Sequence, residues 1–396
     1  MKACKLCGRP DLDVRLDFGP QAITNRFLRA PDEPQDAHPL DLGVCAACGT
    51  VQLASLTPPD QIRPRFDWLS YNEPERHLDD VVRLVRGLPG LRPSSLVLGL
   101  TYKDASTLER LGRIGFDRVR LADRAADLGI EHPLGGIESV QQRLTPETAA
   151  RLADRYGRPE LVVLRHVLEH AHDVRAVLEC LRRLVAPGGH VVVECPDAVR
   201  ALECCDYSTV WEEHVFSFTP ATLRQCFALA GFEVVSLRSH LYSHENSLVV
   251  VARPSTAPQP TLTPQQVGVE TSRLGRFADR YPEVRAAHAA LLERQGRSAL
   301  LGAGHLSAAF VNLLGLGGYV DFVADDDPRK QGLYMPGSRL PILASGQLVE
   351  RDIGLCLMTV RPEIEELVVR KNQAFTARGG RLASIFPESP YALQAA

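Results

Sequence analysis

The chain has 396 residues, of which 45% are hydrophobic and 23% are charged, and its formal net charge is −3. This length predicts two or three domains, and the hydrophobic content is sufficient for ordinary globular cores. The small net charge gives no electrostatic reason to expect a nucleic acid polymer or a membrane as partner. No apolar run approaches the roughly 18 residues that span a bilayer, and the first residues lack a signal-peptide core, so we expect a cytoplasmic protein.

Two Cys-x-x-Cys pairs stand near the start of the chain, Cys4 with Cys7 and Cys45 with Cys48, each followed by glycine. Such knuckles direct paired thiolates at one tetrahedral ion, and four sulfur ligands suit zinc. Four protein ligands leave no open position for water, so the pattern predicts a structural zinc. The segment has few basic residues and no basic helix, which argues against a DNA-binding role for this zinc module.

The next part of the chain alternates strands and helices. Residues 95–99 predict a strand that is followed by a loop and a helix, and residues 119–123 predict a second strand with an acidic end. Residues 161–164 form an apolar run typical of a strand buried on both faces. A helix over 176–184, a Pro-Gly-Gly turn and a strand over 191–193 follow. This order is typical of a doubly wound α/β sheet.

Polar residues cluster just past two of these predicted strands: His166, Glu169 and His170 after one, and Glu194 and Asp197 after the other. In open α/β sheets, ligands bind at the carboxyl ends of the strands. This edge is therefore the predicted ligand site.

The remainder of the chain predicts a closing pair of antiparallel strands, a proline-rich linker and a second α/β unit. The strands lie within residues 231–251, and a long helix is expected over 265–295. A strand near 298–301 leads into Gly302-Ala-Gly304, and a further strand is expected over 319–325. The two glycines can bring backbone amides near a phosphate, but they do not complete the dinucleotide fingerprint.

The run His166-Val-Leu-Glu-His170, followed by Ala-Pro-Gly-Gly-His190, resembles the fourth and fifth strands of class I S-adenosylmethionine-dependent methyltransferases. The two knuckles, with residues 20–27, 38–45 and 330–342, make the whole chain resemble the nucleotide-sugar C-methyltransferase family. The resemblance implies a class I methyltransferase sheet with an N-terminal zinc module and a second, C-terminal Rossmann-like domain. The expected boundaries are 1–60 for the zinc module, 61–253 for the methyltransferase-like domain, 254–296 for a linker and helix, and 297–396 for the C-terminal domain.

The resemblance also implies the ligands and their sites. S-adenosylmethionine and structural zinc are the expected cofactors, and a small molecule, nucleotide-linked in that family, is the expected substrate. The expected cofactor-binding residues are Gly99, Thr101, Tyr102, Lys103, Asp123, Arg165 and His166. The expected substrate-binding residues are Trp68, Tyr71, His244 and Asn246. The chain departs from the family by placing Tyr102, Lys103 and Asp104 where small residues are usual.

Glu213 and His214 match the last two positions of a Tyr-His-Glu-His motif of that family, whereas Trp211 and Glu212 do not match the first two. A histidine beside a carboxylate suits general-base work. The resemblance implies that His214 removes a proton next to a ketone and that the resulting enolate takes the methyl group.

Two other classes of function stay open on the sequence. The altered loop is compatible with a different reaction on a nucleotide or sugar-nucleotide ligand, in which Tyr102 and Lys103 become catalytic candidates. A non-catalytic binding protein is the other alternative, and the retained pair of Glu213 and His214 argues against it.

Overall fold

The computed structural model describes residues 2–69 and 73–393. The chain forms two compact units. The first contains residues 1–14, 42–199 and 213–272, and the second contains residues 15–41, 200–212 and 273–396. The cysteine knuckles and the methyltransferase-like sheet therefore belong to the same unit.

A small sheet near the knuckles has the order β1-β2-β3-β8. Its strands are β1 (Leu12–Ala22), β2 (Ala37–Cys45), β3 (Val51–Leu53) and β8 (Phe216–Ser217). The pairing of β3 with β8 is antiparallel and joins Val51 to Ser217, so a late segment of the first unit completes the sheet. The short helix α1 (Pro59–Ile62) follows this sheet in the chain.

The main sheet of the first unit has six strands in the order β5-β4-β6-β7-β10-β9. They are β4 (Leu96–Gly99), β5 (Arg118–Leu121), β6 (Leu161–Arg165), β7 (His190–Asp197), β9 (Phe232–His240) and β10 (Asn246–Pro254). The first four are parallel, and β10 pairs antiparallel with β7 and β9. All five residues of β6 are buried, as a central parallel strand with both faces covered requires.

Helices cover both faces of this sheet and confirm the doubly wound prediction. They are α2 (Leu78–Arg86), α3 (Ala105–Arg113), α4 (Ile137–Arg143), α5 (Pro146–Tyr156), α6 (Val174–Leu184) and α8 (Pro220–Leu229), with α7 (Val199–Glu203) after β7. The helix α6 begins where the Asp173 side chain accepts the Ala176 N–H, and its apolar stripe packs into the core. Cys4, Leu6 and Cys48 belong to that same core, so the knuckles pack on the sheet domain.

The second unit contains a five-stranded parallel sheet in the order β13-β12-β11-β14-β15. Its strands are β11 (Ser298–Leu301), β12 (Val323–Ala324), β13 (Ile342–Leu343), β14 (Leu355–Met358) and β15 (Arg381–Ser384). Its helices are α10 (His305–Leu314), α11 (Gln347–Glu350), α12 (Pro362–Lys371) and α13 (Gln373–Ala377), and the long α9 (Pro264–Gln295) precedes them. The strand expected over 319–325 is shorter than predicted, because Gly317–Tyr319 form a 3-10 turn.

Across the described ranges 2–69 and 73–393, we find no helix whose length and apolar character would let it cross a membrane.

Candidate zinc, cofactor and proton-transfer sites

The four knuckle cysteines come together as predicted. The Sγ atoms of Cys4 and Cys48 lie 3.7 Å apart, and those of Cys7 and Cys45 lie 3.5 Å apart. Zinc–sulfur bonds of about 2.3 Å in a tetrahedron place neighbouring sulfurs roughly 3.8 Å apart, so the cluster has the size that zinc requires. The side-chain amide of Gln52 donates to Cys4 Sγ at 3.1 Å, which favours a thiolate at that position.

The loop after β4 is organised by a buried carboxylate. Asp104 accepts the N–H groups of Leu100 and Thr101 at 2.7 and 2.8 Å. It also accepts the N–H of Arg165, at the end of β6, at 2.8 Å. Burial raises the pKa of Asp104 to about 7 although these hydrogen bonds oppose the shift. This side chain therefore joins the loop to the neighbouring strand.

Gly99 has a packing role at the end of β4. A Cβ atom at this position would meet Leu108 Cδ1 at 2.7 Å and Asp104 Cβ at 2.9 Å. Glycine therefore allows α3 to approach the strand closely. Further along the loop, Thr101 is buried and its hydroxyl accepts the Lys103 N–H at 3.1 Å, whereas Tyr102 is 58% exposed.

Asp123 lies just after β5 and beside the end of β4. The Ala122 N–H donates to Gly99 O at 2.9 Å, which holds the two strand ends together. One oxygen of the exposed Asp123 carboxylate accepts the N–H groups of Ala125 and Ala126, at 2.9 and 2.6 Å. The hydrogen bond from Ala126 is the main reason why the pKa of Asp123 is lowered, so this edge of the sheet carries an ionised carboxylate.

Glu194 is the centre of a buried charged cluster at the carboxyl ends of β6 and β7. Its carboxylate contacts Arg165 Nε at 2.5 Å and His166 Nε2 at 3.1 Å through hydrogen bonds, and its Oε1 lies 3.0 Å from His77 Nε2 as an ion-pair contact. Burial alone would raise the pKa of Glu194, but the charge and hydrogen bond of His166, with those of its other partners, hold the pKa well below its ordinary value. Arg165 Nη1 also donates to Lys103 O at 2.7 Å, which links the cluster to the loop after β4.

His166 has an unusual backbone conformation, with φ at +51°. A non-glycine residue in this left-handed region costs about 1–3 kcal/mol and persists only where its surroundings impose it. The imidazole is buried, and its Nδ1 lies 3.3 Å from Glu169 Oε1 while Nε2 contacts Glu194. Burial opposes protonation, but the charges of Glu73 and Glu194 outweigh it and raise the pKa of His166 well above its ordinary value.

Lys103 pairs with Glu73 at 3.2 Å, and little of the lysine ammonium end is exposed. Burial alone would raise the pKa of Glu73, but the charges of His166 and Lys103 hold it at about 2. The charge of His214 acts in the same direction, which places the predicted base in the same electrostatic environment. The loop, the charged cluster and His214 therefore form one polar region.

His214 itself lies beside His170, which the sequence analysis placed at the predicted ligand edge without giving it a role. The rings of His170 and His214 meet edge to face, with centroids 4.8 Å apart. Burial, together with the charge of His166, lowers the pKa of His170 to about 3, so this imidazole is neutral. The ligand-type atoms of Glu169, His170 and His214 all lie within 4.8 Å of one another.

The predicted substrate residues are placed as follows. Trp68 is half-buried and stacks on Phe66, with ring centroids 4.9 Å apart. Asn246 is buried, and its Oδ1 accepts the Tyr242 N–H at 3.0 Å, while His244 lies half-buried in the same turn. Tyr71 lies outside the described residues.

Sequence reasoning missed His77 and Glu73 as parts of this polar region, and it named Tyr242 only as one of the turn residues that could line a substrate pocket. The Tyr242 hydroxyl lies 2.8 Å from His77 Nδ1, and both belong to segments remote from the 160–218 core motif. The sequence signal that could have pointed to His77 is its position directly before α2, a helix with a buried apolar face.

Three family models match the chain in the predicted order. A zinc binding domain of methyltransferases matches residues 4–62, a methyltransferase domain matches residues 100–237, and a C-methyltransferase C-terminal domain matches residues 264–387. The C-methyltransferase NovU of Streptomyces niveus is 28% identical over 405 residues, which cover 97% of this chain and 95% of that protein. The three models together match most of the chain, and the chain is similar to this C-methyltransferase over nearly its whole length. It is accordingly an S-adenosylmethionine-dependent methyltransferase with a zinc-binding module.

Other relatives match less than half of this chain. The ubiquinone biosynthesis O-methyltransferase of Azorhizobium caulinodans is 26% identical over 179 residues, covering 42% of this chain and 68% of that protein. The solved magnesium protoporphyrin IX methyltransferase of Synechocystis, with bound S-adenosylhomocysteine, is 17% identical with a TM-score of 0.31. That match covers 46% of this chain and 83% of the other.

The donor set at the sheet edge of this methyltransferase fits its cofactor. One oxygen of the ionised Asp123 carboxylate accepts the Ala125 and Ala126 N–H groups, and the second oxygen is an acceptor that suits a ribose hydroxyl. The pair of Lys103 and Glu73 offers one charge of each sign, which suits the carboxylate and ammonium groups of a methionine moiety.

Proposed function

We propose that this enzyme methylates a carbon atom beside a ketone in a small, nucleotide-linked keto sugar, through an enolate. The observation that carries the proposal is the position of His214, half-buried and beside the neutral His170, at the polar edge of the sheet. A carbon next to a ketone is not nucleophilic until it loses a proton, so a positioned base is necessary. The relation to a C-methyltransferase over nearly the whole chain supports this assignment.

In this proposal the residues at the sheet edge hold the methyl donor, whose sulfonium supplies the methyl group. Asp123 binds a ribose hydroxyl, and Lys103 binds the carboxylate of the methionine moiety. Gly99, Thr101 and Tyr102 shape the loop, and Arg165 and His166 close the site from the end of β6. Trp68, Tyr71, His244 and Asn246 contact the substrate.

His214 takes the proton from the substrate carbon, and Glu213 orients it or contacts the ligand. His170, which lies beside it, is neutral and adds no positive charge of its own. Histidine suits this role because its unperturbed pKa lies near neutral pH.

Exchange of substrate hydrogen with solvent tests the base separately from methyl transfer. We would incubate a panel of nucleoside diphosphate-linked keto sugars with the enzyme and S-adenosylhomocysteine in D₂O, and follow deuterium incorporation by NMR. We expect exchange at one ketone-adjacent carbon, and methylation of that same carbon when S-adenosylmethionine is supplied.

The His214→Ala variant should lose about 10²–10⁴-fold in the exchange rate, because that is the contribution of a well-placed general base. Its affinity for S-adenosylhomocysteine, measured by calorimetry, should stay within about twofold, and His172→Ala serves as a control outside the site. Methyl transfer onto oxygen or nitrogen without exchange, or full activity of His214→Ala, would refute the proposed chemistry.

A further inference from the structure

A continuous series of titratable side chains crosses the buried part of the first unit. It starts at Glu169 and ends at the half-buried hydroxyl of Tyr242 in the turn between β9 and β10. In the inner half, Glu169 Oε1 lies 3.3 Å from His166 Nδ1, and His166 Nε2 lies 3.1 Å from Glu194 Oε1. In the outer half, Glu194 Oε1 lies 3.0 Å from His77 Nε2, and His77 Nδ1 lies 2.8 Å from Tyr242 Oη. All four distances are within hydrogen-bonding range, and three of the links are hydrogen bonds. The link between Glu194 and His77 is an ion-pair contact, and His77 Nε2 makes no hydrogen bond within the described residues, so a small rotation of this imidazole must complete the series.

The inner end of the series faces the predicted base. Glu169 is 1% exposed, and within the described residues its Oε2 atom has no hydrogen-bond partner although it is buried. A buried oxygen of this kind normally has a partner, so it indicates a missing donor. The ligand-type atoms of Glu169 and His214 lie within 4.8 Å of each other. One water molecule spans such a separation and can carry a proton between the two groups.

The outer end of the series approaches solvent. Tyr242 is half-buried, and its neighbour Leu241 is 70% exposed at the tip of the turn. The Tyr242 hydroxyl also accepts the His77 N–H at 3.0 Å, which fixes the position of the ring relative to the start of α2. The series therefore leads from the interior of the sheet edge to the surface.

The conformation of His166 is what makes the series continuous. Its left-handed backbone lets the imidazole bridge Glu169 and Glu194, so one ring nitrogen faces each carboxylate. Arg165 fixes Glu194 through the other carboxylate oxygen at 2.5 Å, leaving Oε1 for the two histidines. A purely stabilising ion-pair cluster would need neither this strain nor the extension through His77 to Tyr242.

We propose that these five residues form a proton relay that returns the proton of each turnover from His214 to solvent. The relay rests on the proposed carbon methylation, in which His214 must release its proton before it can act again. Each side chain receives one proton and releases one. Every turnover thus moves one proton from the substrate carbon to His214, and one proton leaves the Tyr242 hydroxyl for solvent. The methyl group moves from the sulfonium to the carbon, so charge balances.

The test compares the first turnover with later turnovers in the full-length enzyme. The variants His77→Gln and Tyr242→Phe keep side chains of similar size but interrupt the relay. The matched control is His240→Gln, because the His240 ring packs against His77 at a tilt, with centroids 4.7 Å apart, but is not a member of the series. The probe is the keto sugar nucleotide that the wild-type enzyme methylates, at low buffer concentration, followed by rapid quench and mass spectrometry.

We expect both relay variants to complete the first methyl transfer at a rate within about threefold of wild type and then to slow by about tenfold or more. Added imidazole, a diffusible proton carrier, should restore the later turnovers, and His240→Gln should behave as wild type. The relay is wrong if first and later turnovers fall together, if imidazole gives no rescue, or if both variants keep the wild-type steady-state rate. If the wild-type enzyme methylates no carbon, the proposed function fails instead, and that result is read from the wild type alone.

Discussion

Replacement of Glu194 by glutamine should strongly destabilise the first unit, because Glu194 compensates buried positive charge. The residue is 1% exposed and contacts Arg165 Nε and the ring nitrogens of His77 and His166. Glutamine has nearly the same shape but no charge, and its amide would place N–H donors against these donors. Breaking a buried ion pair by removing one partner costs about 3–5 kcal/mol, and we expect a loss of this size.

The pH dependence of this loss has a definite sign. The pKa of Glu194 is held well below its ordinary value of 4.5, so its contribution is complete above pH 4.5 and is lost as the pH falls through the folded-state pKa. The pKa of His166 is raised well above 6.5, so its contribution is complete below pH 6.5 and is lost as the pH rises through its folded-state value. The stability difference between wild type and Glu194→Gln should therefore be largest between pH 4.5 and 6.5.

Urea unfolding followed by far-UV circular dichroism, at several pH values, measures this difference. The matched control is Glu109→Gln, which removes an exposed i,i+4 partner of Arg113 on α3. Exposed pairs contribute about 0–1 kcal/mol, so the control should remain close to wild type. A loss below about 1 kcal/mol for Glu194→Gln, or a difference that does not change with pH, would show that water or rearrangement compensates the cluster.

Three further predictions concern the zinc site, the cofactor edge and the loop. Metal analysis of the purified protein should find one zinc per chain, and the Cys45→Ser variant should lose zinc and misfold. The control variant Cys204→Ser should keep the metal, because Cys204 is exposed and lies outside the cluster. Asp123→Ala should weaken S-adenosylmethionine binding in calorimetry by about 1–3 kcal/mol, and unchanged affinity would remove Asp123 from the cofactor site. Gly99→Ala should lower the free energy of unfolding by about 1–3 kcal/mol, measured by urea unfolding, because the new Cβ atom would approach Leu108 Cδ1 to 2.7 Å. A variant as stable as wild type would show that α3 can shift to make room.

The fold was largely predictable because its signals are local. The apolar run of β6, the amphipathic α6 and the Pro-Gly-Gly turn each predict their own structure, and the order of elements implies a parallel sheet. The knuckle cysteines were predictable for the same reason, since metal geometry fixes their spacing. The strand expected over 319–325 was wrong in length, because turn residues near Gly317 compete with the strand signal there.

The buried cluster was only half predictable. The residues that follow parallel strands, such as His166 and Glu194, share one sheet edge by topology, so their proximity follows from the sequence pattern. His77 and Tyr242 come from the start of α2 and from a turn between antiparallel strands, and their contact depends on how these elements pack. No periodicity in the sequence encodes that contact, nor the positive φ of His166.

The loop after β4 is ordered although residues 100–106 contain no glycine. Glycines are needed where the backbone takes positive φ or where nothing larger than hydrogen fits. In residues 100–106, which the structure describes in full, no residue has positive φ, so side chains are tolerated throughout. Thr101 and Asp104 form reciprocal hydrogen bonds with the backbone of the turn, and Asp104 also binds the N–H of Arg165. Gly99, directly before this loop, meets the steric condition, because a Cβ atom there would come too close to Leu108 and Asp104. A buried carboxylate therefore orders this loop, and the Lys103 side chain forms a charged pair with Glu73.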